Sequence, residues 1–161
     1  MKRAKILIPL IVFAISCTNN AESLNSKQAS EIQDSVHIMI ESIAKDVSRE
    51  GPVAWLRYFE NAPDFFMASD GQLVFPNIDT ATNFIKNILV KSMPKIELRW
   101  SNIRIDPLAN KLASISANYH EDIADHTGTM TPHDGYFTGI AHQTSQGWKL
   151  LNAHWSSMAK H

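Results

Sequence analysis

The 161-residue chain has one cysteine, no surplus of positive charge, no long apolar run and no glycine-rich loop. Each shortage excludes something. A single cysteine forbids an intrachain disulfide and a multi-cysteine zinc site. Fifteen Lys and Arg against sixteen Asp and Glu leave a net charge of −1, without the basic surplus of a nucleic-acid binder. The longest apolar run, residues 6–15, is interrupted by Pro9 and is half the length a membrane-spanning helix needs. There is no Gly-x-Ser-x-Gly elbow for a serine nucleophile and no phosphate-cradling loop. No repeat of 20–50 residues is visible. What is present is 44% hydrophobic and 19% charged residues, the balance of a chain that folds around a core.

The first residues read as an address. Lys2, Arg3 and Lys5 precede the short apolar run, and Ala14-Ile15-Ser16 precede Cys17. This is the layout of a secretory signal, and it resembles the lipobox of bacterial lipoproteins, with Ala14 where leucine is usual. On that resemblance residues 1–16 are a signal peptide, Cys17 is lipidated, and residues 17–25 are the lipidated cysteine and a polar tether. The protein is then held at the bacterial cell envelope, facing the periplasm on an outer membrane if the host has one. The alternative is a cleaved, secreted, soluble protein. Removing residues 1–16 takes away three basic groups and no acidic one. Twelve basic residues then face sixteen acidic ones, a charge of −4 that leaves membrane attachment to the lipid anchor.

The rest, residues 26–161, reads as one domain. Ile32, Val36, Met39, Ile40, Ile43 and Val47 recur at helical spacing, one apolar face of a long amphipathic helix. Ser26 or Ser30 could cap it and Gly51 stops it. Pro52 opens a short second helix. Residues 65–69 and 72–75 flank Asp70-Gly71 as a hairpin. Asp79 looks like the cap of a third helix, closed by Pro94. Beyond it, 95–106, 111–123, 129–144 and 147–157 read as long antiparallel strands. The fold class is therefore α+β, with three helices on one face of a strongly curved antiparallel sheet.

This order resembles the nuclear transport factor 2-like superfamily, in particular its SnoaL-like and ketosteroid-isomerase-like groups. Its local signatures are Trp55-x-x-Tyr58-Phe59, then Phe65-Phe66 and Asp70-Gly71, then the closing Gly147-Trp148-Lys149-Leu150 and His154-Trp155-Ser156. The resemblance implies a cone-shaped half-barrel with a pocket at its wide end and a homodimer through the outer sheet face. It does not choose between binding and catalysis, since this fold carries both.

Alternation along strands sorts the candidate site residues. On 111–123, Ala113, Ile115, Ala117, Tyr119 and Glu121 share a face. On the last strand Trp148, Leu150, Asn152, His154 and Ser156 share one, unless a bulge intervenes. His154 is the candidate acid/base, because imidazole titrates near neutrality, with Tyr58 or Tyr119 orienting a substrate oxygen. Glu121 is a second candidate base. Trp55, Tyr58, Phe59, Phe66, Trp100, Tyr119 and His154 would line the pocket. His120, Glu121, Asp122, Asp125, His126, His133 and Asp134 are metal-ligand types at spacings that match no zinc pattern, and neither metal nor cofactor is expected. The expected function is binding of a small, apolar molecule or protein association, without nucleic acid. The alternative is a cofactor-free lyase or isomerase using a pocket histidine.

Overall fold

A computed structural model describes residues 24–158. The signal segment, Cys17, most of the tether and the last three residues lie outside the described residues. The first helix, α1 (Ser26–Glu50), begins at Asn25, whose side chain accepts from the Gln28 N–H while the Gln28 side chain accepts from the Asn25 N–H. This reciprocal pair satisfies two orphan donors, which neither Ser26 nor Ser30 does. All six positions of the apolar stripe are buried. Gly51 stops the helix at φ 76°, and a Cβ there would press on the Pro94 carbonyl at 3.0 Å.

Pro52 starts a 3-10 helix (Pro52–Arg57). The hairpin β1 (Phe66–Ser69) and β2 (Gln72–Phe75) follows, with Asp70 and Gly71 both at positive φ in the turn. Helix α2 (Ile78–Phe84) is capped by Asn77, not Asp79, and runs through a π-helical turn (Ile85–Leu89) into α3 (Val90–Ser92). Four long strands complete the chain: β3 (Lys95–Ala109), β4 (Leu112–Ala124), β5 (Met130–Thr144) and β6 (Gly147–Ser157).

The six strands form one open sheet in the order β2-β1-β6-β5-β4-β3. The sheet is mixed rather than antiparallel throughout, because β1 runs parallel to β6. Just before the hairpin, residues 58–60 already run parallel to β6, with Phe59 bridged to Leu150, and β1 continues in that direction. Helix α1 lies over the inner face. Its Gln33 donates to the Ile105 carbonyl, its Ile40 carbonyl accepts from the Trp100 indole, and its Ser35 hydroxyl accepts from the Trp148 indole. The start of α1 therefore sits at the end of the sheet that carries the β3–β4 and β5–β6 turns. Among the described residues no helix is long and apolar enough to cross a membrane.

Candidate functional site

The opposite end of the sheet is not filled. Between the ends of β4, β5 and β6 on one side and the hairpin and the π-helical turn on the other lies an open cavity of about 310 Å³. Trp55 and Phe59 enter it from the 3-10 helix and the residues just after it, and Met67 and Phe75 from the hairpin. Ile85 and Leu89, at the two ends of the π-helical turn, supply the helical wall. Trp155 stands edge-on to both Trp55 (5.2 Å between centroids) and Phe137 (4.5 Å). These rings form one continuous aromatic wall.

The polar groups gather on the strand ends. Tyr119 and Glu121 project from β4, His133 from β5 and Ser157 from β6. Asp70, in the hairpin turn, accepts from the Ser157 N–H at 2.7 Å and from its hydroxyl at 3.1 Å. These bonds, the Ser157 N–H first, hold the Asp70 carboxyl below the usual carboxylate range. Tyr119 is buried, and burial pushes its phenol up, with the charges of Glu121, Asp70 and Asp134 adding to the effect.

Glu121 is the unusual group. Part of its side chain meets solvent, yet apolar neighbours surround the carboxyl, and this desolvation pushes it up to about 7. No described side chain forms a hydrogen bond or ion pair with it. His133 is its cross-strand neighbour on β5. A carboxyl poised near neutrality can hold or release a proton there.

Of the residues expected to line the pocket, Trp55, Phe59 and Tyr119 do so, together with Glu121. Four do not. His154 projects from the outer face, beside a shallow groove lined by Phe66, Ser114, Thr138 and Asn152. A bulge explains it. Ile140 pairs with Asn152 but Ala141 pairs with Leu150, so Leu151 is an extra residue that reverses the alternation. Trp148 and Leu150 thus share the inner face with Ala153, Trp155 and Ser157, and His154 turns away. Phe66 lies on the outer face, 43% exposed. Trp100 is taken up by α1 and by packing on Phe137.

Tyr58 points to α1, where its hydroxyl donates to Asp46 at 2.7 Å, within a cluster that includes Arg49, Glu50 and Arg57. Burial and then the Asp46 bond push this phenol up to about 12. Tyr58 anchors the 3-10 helix to α1. Tyr58→Phe is expected to cost about 1 kcal/mol in urea denaturation and to leave pocket binding unchanged. A change in ligand affinity without a stability loss would refute that assignment.

Sequence reading missed Trp155 and Ser157, which the bulge brings inward, and the Asp70–Ser157 link. The Asp70-Gly71 turn carried no signal for the latter, since a turn aspartate can equally bond its own backbone or face solvent. Among the described residues no group of three or more His, Cys, Asp or Glu is arranged to hold a metal ion. His120 instead bonds Asp134 through Nδ1 at 2.7 Å on the outer face, and that bond raises its pKa.

The architecture is that of the nuclear transport factor 2-like fold. A nuclear transport factor 2-like superfamily protein from Salmonella enterica serovar Typhimurium superposes with a TM-score of 0.62 at 18% identity, over 84% of this chain and 94% of that one. A "Putative Scytalone Dehydratase" from Novosphingobium aromaticivorans superposes with a TM-score of 0.71 at 11% identity, over 84% and 89%. A "putative dehydratase from the NTF2-like family" of Streptomyces avermitilis gives 0.67 at 12%, over 82% and 99%. These likenesses establish the fold and not the activity. No protein-family model and no curated protein matches the chain.

Proposed function

We propose that this chain is a small-molecule-binding domain, exported and held at the bacterial cell envelope by a lipid on Cys17, which takes its ligand in the cavity between the hairpin, the π-helical turn and the ends of β4–β6. The observation that carries the reading is the cavity itself, an aromatic and aliphatic wall closing on one unpaired carboxyl. That combination buries an apolar body and fixes one polar atom. Anchoring is supported by the Lys2–Cys17 pattern. Self-association of two copies belongs to the same reading, across the outer sheet face where Phe66, Ile140 and His154 border a groove of about 390 Å³.

A second reading, proton-transfer catalysis by a lyase or isomerase, is favoured by the near-neutral Glu121 carboxyl. In it Glu121 takes the role first assigned to His154 and works with the Tyr119 hydroxyl, without a cofactor.

The test is native mass spectrometry of the full chain purified gently from its host membranes, read for oligomer mass and a retained organic molecule. Ser69→Trp, which fills the cavity, is expected to abolish retention, and His154→Ala to leave it intact. Cys17→Ala is expected to move the protein from the membrane to the soluble fraction. Retention that survives Ser69→Trp and fails in His154→Ala would place the ligand on the outer face and end the proposal.

A further inference from the structure

The unpaired carboxyl says which ligands the cavity suits. Two chemistries could satisfy Glu121 within an apolar wall: an acceptor that takes the proton of the neutral acid, or a cation that pairs with the carboxylate. The charges around the cavity decide between them.

Among the described residues no Lys or Arg lines it. From the hairpin turn Asp70 faces the same end and is held ionised by Ser157. Glu121, Asp70 and Asp134 all act on the Tyr119 phenol in the same direction, opposing negative charge there. From β5 only His133 faces Glu121. His120, adjacent in sequence, lies on the outer face and is engaged with Asp134 and Asp122. The residues contributed by β3, the 3-10 helix and the helical wall are Ile96, Trp55, Ile85 and Leu89, none of them charged. A ligand that carries or develops negative charge meets carboxylates, with His133 as the one basic side chain among the described lining residues. A ligand carrying positive charge meets a carboxylate and an aromatic wall, the two groups that attract organic cations.

We propose that the cavity selects organic cations, small ammonium compounds whose charged nitrogen lies against Glu121 and whose apolar body packs on Trp55, Phe59 and Trp155. The inference rests on the ligand-binding reading above and narrows its ligand class. It goes with proton release. A permanently charged ligand binds the ionised form of Glu121, so binding displaces the proton that the apolar surroundings favour.

The experiment titrates the full-length protein with phenyltrimethylammonium, whose charge does not change with pH, and with its uncharged isostere tert-butylbenzene. Binding is followed by tryptophan fluorescence and by amide chemical shifts. With Glu121 ionising near 7, ammonium affinity should rise roughly tenfold to thirtyfold between about pH 5.5 and pH 8.5. Affinity for the hydrocarbon should stay flat. In Glu121→Gln most of the rise should be lost. A hydrocarbon that binds while the ammonium compound does not, or binds without pH dependence, overturns the cation proposal and leaves the pocket reading standing. A rise undiminished in Glu121→Gln overturns the role of Glu121. Failure of both probes to bind at any pH overturns the pocket reading and the proposal with it.

Discussion

Gly135→Ala is expected to cost the domain about 3 kcal/mol or more, enough to lower its thermal midpoint by more than about 10 °C. Gly135 is buried in β5 between Tyr119 of β4 and Ser157 of β6. A Cβ built there would lie 2.2 Å from the Ser156 carbonyl oxygen and 2.4 Å from the Tyr119 hydroxyl. The first contact is with backbone that is paired into the sheet and cannot move alone. The second is with a buried ring that floors the cavity. Tyr119→Ala relieves only the second clash and removes a buried ring of its own, so the double variant should lose less than the sum of the two single variants. Urea denaturation of the two single variants and the double variant reads this coupling. A Gly135→Ala protein with an unchanged midpoint would mean that β5 and β6 are not in the register described here.

Glu121→Gln should stabilise the protein above neutral pH, and the gain should vanish in mild acid. Folding raises the carboxyl from its usual value to about 7. Between the unfolded and folded values the native state therefore binds more protons than the unfolded chain, and stability falls as pH rises. The contribution is fully present below about pH 4.5 and lost once pH has passed about 7. A shift of this size corresponds to about 3 kcal/mol, an upper bound because part of the side chain meets solvent. His120, whose pKa its Asp134 bond raises, loses stabilisation as pH rises too. The difference between wild type and Glu121→Gln isolates Glu121 from it. Parallel stability curves for the two proteins from pH 5 to 8.5 would show that the carboxyl is solvated and would remove the basis for its role in the site.

Much of the scaffold was legible in the sequence, because its signals are local and periodic. The six apolar positions of α1 are buried, the Asp70-Gly71 turn closes a hairpin, and Ala113, Ile115, Ala117 and Tyr119 share the inner face of β4. The parallel docking of β1 on β6 was not legible, since it depends on residues 58–60 meeting Leu150, some ninety positions away in sequence. On the site, β4 placed Tyr119 and Glu121 correctly by alternation alone, because its pairing with β5 is uninterrupted. On β6 one extra residue, Leu151, defeated the same argument and exchanged His154 for Trp155 and Ser157. Nothing in Leu150-Leu151 distinguishes a bulge from a regular strand, since both residues are apolar. Tyr58 and Trp100 were misplaced for a different reason. Each is an amphipathic aromatic whose polar atom found a partner on α1, Asp46 for Tyr58 and the Ile40 carbonyl for Trp100, and helix packing of that kind is not periodic in sequence.

The position of the first residue of α1 has a consequence for traffic. It lies at the end of the sheet opposite the cavity, and the intervening length of β4, thirteen residues, spans about 40 Å if extended. A chain tethered to a surface through Cys17 would stand with its closed end toward that surface and its mouth toward the bulk. Ligand would then enter and leave through water rather than out of the lipid. A short tether would suffice, and lengthening it should change neither the rate of uptake nor the choice of ligand.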